Sequence, residues 1–146
     1  MLNISGINEG IVIDHISAGQ AMNIYKYLSL DKTDCCVAVI TNAKSNKMGK
    51  KDIIKIEGNL DVDINILRVL DNNITVNVIA DGKITDKVTP VLPKTITNVI
   101  KCKNPRCITT SDEQGIIHKF NLTDKEKGIY RCFYCEQQFD KKQLYQ

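Results

Sequence analysis

Four cysteines in two close pairs constrain this chain more than any other feature. Cys102 and Cys107 enclose four residues, Cys132 and Cys135 enclose two, and 24 residues separate the pairs. Each pair brackets a turn, Lys103-Asn104-Pro105-Arg106 in the first and Phe133-Tyr134 in the second. A tetrahedral zinc with sulfur ligands about 2.3 Å away needs two tight loops that each present a pair of thiolates. Four thiolates fill that shell and leave no position for water or substrate, so the expected ion is one structural Zn²⁺ that holds a fold and does no chemistry. The tail from Lys101 to Gln146 buries too little to fold easily alone, whereas a structural zinc contributes about 10 to 16 kcal/mol of apparent binding energy that becomes folding energy.

With 146 residues, the chain has room for one ordinary domain or two small ones, and two compositions point to two. Met1 to Ile100 carries 11 Lys and Arg against 11 Asp and Glu, while Lys101 to Gln146 carries 9 against 6. Phe120, Tyr130, Phe133, Tyr134, Phe139 and Tyr145 fall in the tail, with only Tyr25 and Tyr27 before it. The expected seam is Thr89-Pro90-Val91-Leu92-Pro93-Lys94, whose prolines disfavour helix and central strand. The expected domains are 1–97 and 98–146, the second a small all-β, zinc-ribbon-like unit.

Apolar residues at 42% and charged residues at 25% exclude disorder and collagen-like repeats. The longest apolar run, Cys35 to Ile40, is six residues, against the roughly 20 of a spanning helix. No membrane role is expected. The opening Met-Leu-Asn-Ile-Ser-Gly, with no basic residue before Lys26, leads to a reducing, cytoplasmic address, where cysteines serve metals rather than disulfides. Cys35 and Cys36 are then expected as buried free thiols on opposite faces of a strand.

Four thiolates and one Zn²⁺ add −2, which takes the tail's balance from +3 to +1. A zinc ribbon with interleaved aromatics can bind single-stranded nucleic acid, but such affinity rests on neutralising several phosphates. Nucleic-acid binding is therefore the weaker alternative. The stronger one makes the tail aromatics a small core plus a contact face for a protein partner.

Upstream, Ile7 to Ile13 reads as a strand, and Ser17 can cap a helix from Ala18 to Leu28 with Ala21, Ile24, Tyr25 and Leu28 on one stripe. Cys35 to Thr41 and Ile53 to Glu57 read as strands around a polar, lysine-rich loop, Asn42 to Asp52. Asn59 or Asp61 can cap a helix through Leu70; Ile74 to Ala80, Asp81-Gly82 and Lys83 to Val88 read as a hairpin. The order β-α-β-β-α-β-β predicts an α+β layer, a sheet of about five strands with two helices on one face.

Asp14 and His15 end the first expected strand, Lys55 projects from a polar strand face, Asn77 interrupts an apolar run, and Lys87 ends the last strand. Each alone reads as an ordinary turn, packed or solvated residue. On neighbouring strands they could hold phosphates, hydroxyls and a base edge, because lysine is a compact cation and a carboxylate accepts from hydroxyls. No glycine-rich P-loop, dinucleotide fingerprint, nucleophile elbow or zincin motif is present, so catalysis has no evident carrier.

Several segments occur together in one family: Gly10-Ile11-Val12-Ile13-Asp14-His15-Ile16, Lys47-Met48-Gly49-Lys50-Lys51-Asp52-Ile53-Ile54-Lys55-Ile56-Glu57, Thr75-Val76-Asn77, Leu92-Pro93, and the two cysteine pairs. In that order the sequence resembles the regulatory chain of aspartate carbamoyltransferase over nearly its whole length. The resemblance implies a non-catalytic subunit of pyrimidine biosynthesis. Its N-terminal domain would pair in a regulatory-chain homodimer and bind CTP and UTP as inhibitors and ATP as activator. Its zinc domain would dock on the trimer of catalytic chains. By the same resemblance, Asp14 and Lys55 match ribose-holding positions, Lys87 a phosphate-binding lysine, and His15 and Lys51 positions near the phosphates. Ile7, Val12, Asn77, Ile79 and Ile84 match the rest of the pocket wall. Ser5 and Gly6 stand where the family has Glu-Ala, and Gly82 where a relative has tyrosine, which bears on base selection.

Overall fold

The run Gly10–Ser17 forms β1, the central strand of a five-stranded antiparallel sheet in the computed structural model, which describes residues 6–110 and 116–139. Its neighbours are β3 (Gly49–Glu57) and β4 (Thr75–Ala80); β2 (Cys36–Ser45) and β5 (Lys83–Val88) form the two edges, in the order β2-β3-β1-β4-β5. Ile13 stands opposite Ile54 on one side and Val76 on the other, and all three are fully buried. This face carries the core, together with Ala21 and Ile24 of helix α1 (Ala21–Tyr27) and Ile66, Leu67, Val69 and Leu70 of helix α2 (Ile64–Leu70). Five strands and two helices agree with the expected α+β layer.

Local details differ from expectation for identifiable reasons. The first strand runs through Ser17 because two residues, Asp14 and His15, stand opposite Ile53 alone, a β-bulge with His15 at φ 57°. Helix α1 starts at Ala21 and not Ala18, because Ser17 gives its N–H and hydroxyl to Asp71 instead of capping the helix. Asp52 of β3 supplies the missing acceptor, taking the N–H groups of Gly19 and Ala21. Helix α2 is capped by Asp63, whose side chain accepts from the Asn65 N–H, rather than by Asn59 or Asp61. The segment expected as a lysine-rich loop is the far end of a long hairpin, with Lys44 opposite Lys50 and Gly49 at φ 78° leaving the turn. The Asp81-Gly82 turn is as expected, with φ of 52° and 74° at its two residues. At Gly10 a side chain would strike the Ile56 carbonyl, so β1 and β3 approach this closely only with glycine there.

Cys36 is exposed at the start of β2 and Cys35 half-buried just before it, which corrects the expectation of two buried thiols. The edge position of β2 leaves Cys36 uncovered.

A second unit, Val91–Gln146, contains a three-stranded antiparallel sheet ordered β6 (Thr95–Thr97), β7 (Lys119–Asp124), β8 (Ile129–Cys132). The division from the first unit, Met1–Pro90, falls inside the expected seam rather than after Thr97, because Thr95–Thr97 pairs with β7. Among the described residues, Phe120 and Tyr130 are the buried aromatics, with Phe139 edge-on to Phe120 at 6.0 Å. The Tyr130 hydroxyl donates to the Pro93 carbonyl at 2.6 Å, and burial pushes its pKa up to about 12. Ser5 and Tyr145, singled out in the sequence, lie outside the described residues. Among the described residues no helix is long and apolar enough to cross a membrane.

Candidate functional site

The four cysteines meet in the second unit. Asn104 accepts the Cys107 N–H on its carbonyl and the Arg106 N–H on its side chain, which closes the first turn. The Glu136 N–H returns to the Cys132 carbonyl and closes the second, with Glu136 at φ 63°. The Cys102 and Cys135 sulfurs are 3.6 Å apart, those of Cys107 and Cys132 are 3.7 Å apart, and all four lie within 4.8 Å of one another. Ligands about 2.3 Å from a tetrahedral centre stand roughly 3.8 Å from each other, so the donor set fits one structural zinc. Thr109 Oγ1 donates to Cys107 Sγ at 3.1 Å, an outer contact of the kind that orients a ligand.

Burial pushes the Cys102 thiol up to about 12 and also raises Cys132. Cys135 is the exception: burial works against ionisation there, but hydrogen bonds from Asn104, Gln137 and the neighbouring cysteines bring it down to about 7. A cation is needed to hold all four as thiolates.

The first unit gathers the other candidates on the sheet face opposite the core. Lys55 stands opposite Val12, Val12 opposite Asn77, and Asn77 opposite Lys87, a single row across four strands. Strand spacing makes that row about 14 Å long. One step along β1, Asp14 stands opposite Thr75, and the bulge turns His15 to the same face, where its Nδ1 meets Thr75 Oγ1 at 2.9 Å. Lys51 Nζ lies 2.9 Å from Asp14 Oδ1, and that oxygen also accepts the His15 N–H. Ile79 and Ile84 pair with each other at the turn end of the same face, with Ile84 exposed. Nine of the ten predicted residues therefore share one surface. Ile7 is outside the row: it precedes β1 and is buried, while Asn8 and Glu9 beside it accept the N–H groups of Gly82 and Gly58.

Sequence reasoning missed the roles of two groups of structural importance. Asp52 and Asp71 are buried carboxylates whose partners are backbone N–H groups and a hydroxyl up to 54 residues away. Only the alternation of β3, which places Asp52 with Ile54 and Ile56 on the core face, could have marked the first.

Comparison with known proteins covers both units. Residues 2–90 match the family described as aspartate carbamoyltransferase regulatory chain, allosteric domain, and residues 94–145 match its metal binding domain. The aspartate carbamoyltransferase regulatory chain of Clostridium botulinum is 54% identical over 137 residues, 94% of this chain and 93% of the relative. That of Clostridium acetobutylicum is 53% identical over the same shares. That of Bifidobacterium longum is 42% identical over 94% of this chain and 98% of its own length.

Proposed function

The chain belongs to the aspartate carbamoyltransferase regulatory-chain family, and from that premise we propose that its outer sheet face binds CTP and UTP as inhibitors and ATP as activator. The chain is a non-catalytic subunit with an allosteric domain and a metal-binding domain. The observation that carries the effector reading is the registered row Lys55–Val12–Asn77–Lys87, with Asp14 and His15 one step away. Two cations, a carboxylate and an amide on one open face, walled by Val12, Ile79 and Ile84, offer partners for phosphates, ribose hydroxyls and a base edge. Asp14 and Lys55 would hold the ribose, Lys87 the phosphates, and His15 and Lys51 would lie near the phosphates.

In the same reading the zinc unit docks on the trimer of catalytic chains, where exposed Phe133 and Tyr134 provide apolar surface. The first unit would pair with a second regulatory chain, and the holoenzyme would work in the cytoplasm. The zinc supplies folding energy to the docking unit and takes no part in the reaction.

Calorimetric titration of the full chain with CTP, UTP and ATP tests the effector site. Lys55→Ala and Lys87→Ala should each weaken triphosphate binding about tenfold or more, the range for hydrogen bonds to charged groups. Wild-type affinity in both variants would remove them from the site.

A further inference from the structure

We propose that the Asp14–Lys51 ion pair is an internal counter-ion that makes the outer-face site select whole ribonucleotides over free polyphosphate. The inference rests on the nucleotide reading above and adds to it a rule of selection. Lys51 and Asp14 meet at 2.9 Å with side chains only 16% and 19% exposed, so each largely satisfies the other. The pairing is held on both sides. Alternation along β1 puts Asp14 on this face beside Val12, the His15 N–H binds the same carboxylate oxygen, and the bulge brings His15 itself to Thr75. Among the described residues Lys55 and Lys87 make no ion pair, although they lie on the same face. The surface therefore holds two free cations and one that is neutralised.

A polyphosphate without a sugar meets Lys55 and Lys87 but must compete with Asp14 for Lys51, and it brings nothing to satisfy the carboxylate it would displace. Leaving that carboxylate half-buried with only the His15 N–H and no counter-ion, beside further negative charge, is unfavourable. A ribonucleotide carries hydroxyl donors that occupy Asp14 and phosphates that take Lys51, so both partners are satisfied when the pair opens. The hydroxyls and the phosphates then bind cooperatively through one ion pair. The site responds to nucleotides and resists the inorganic tripolyphosphate that shares their charge.

The test is calorimetry on the full chain with two probes, tripolyphosphate and CTP, using the wild type, Asp14→Asn, Lys51→Gln, Lys55→Ala and the control Glu57→Gln. Glu57 is an exposed carboxylate of β3 on the same face. Asp14→Asn should tighten tripolyphosphate binding about three- to tenfold by freeing Lys51, while weakening CTP. Glu57→Gln should leave the preference between the probes nearly unchanged. Lys51→Gln, which does not depend on Asp14→Asn folding, should weaken tripolyphosphate less than Lys55→Ala does, because Lys51 is already engaged. Unchanged or undetectable tripolyphosphate binding in folded Asp14→Asn, or an equal gain in Glu57→Gln, would overturn the inference and leave nucleotide binding standing. Failure of the wild type to bind CTP, UTP or ATP would instead remove the nucleotide reading, and this inference with it.

Discussion

Asp52 has no exposed surface, and its carboxylate accepts the N–H groups of Gly19, Ala21 and Asn42. It caps α1 from a different strand and braces the irregular step in β2 between Ile40 and Ala43. Its neighbour in the chain is Lys51, so the brace also fixes where the lysine of the ion pair stands. Asp52→Ala should lower stability by about 3 kcal/mol or more, since buried N–H groups are left unpaired, and urea unfolding of the full chain would measure it. Tyr130 provides a pH-dependent counterpart in the second unit. Its folded pKa is raised to about 12 from 10.0, so its contribution is complete below about pH 10 and is lost as pH rises toward 12. Alkaline unfolding of that unit should begin in this window, and Tyr130→Phe should flatten the dependence there.

The elements divide into those that depend on their own chain pattern and those that depend on distant groups. The strands around Ile54, Ile56 and Val76, the Asp81-Gly82 hairpin and the two cysteine turns were legible because period-two alternation, turn chemistry and metal spacing are local. The start of α1 was not, since its cap comes from Asp52 and Ser17 is engaged by Asp71. Nor was the bulge at Asp14 and His15, which alternation alone would have split between the two faces. The candidate site residues came from a family resemblance together with residue chemistry; the row that unites them became visible only through strand register. The second unit is the element most dependent on something outside the chain. Chelation of zinc, or Cys132→Ser, should unfold the residues after about Asn98 and leave the circular dichroism of the first unit nearly intact. An unchanged tail would show that the four sulfurs do not need a metal.

At the scale of the whole molecule, the segment joining the units is short and is gripped within each of them. Arg68 of α2 donates to the Pro90 carbonyl at 2.9 Å in the first unit. In the second, Tyr130 holds the Pro93 carbonyl and the Leu122 N–H holds that of Lys94. If the first unit binds effectors as proposed, a response in the zinc unit further requires that a nucleotide bind the two quaternary states unequally. Coupling of that kind is typically about 1 to 3 kcal/mol. Arg68→Met, or Pro90→Gly with Pro93→Gly, should therefore reduce the response to effectors more than the binding of effectors, with the two compared in the same assembled holoenzyme. The most direct test of the account is to combine the chain with the catalytic trimer from the same source and follow aspartate saturation during titration with CTP, UTP and ATP. The account predicts that CTP and UTP raise the aspartate concentration needed for half-saturation and that ATP lowers it. An assembled complex whose saturation curve is the same with all three nucleotides would contradict it.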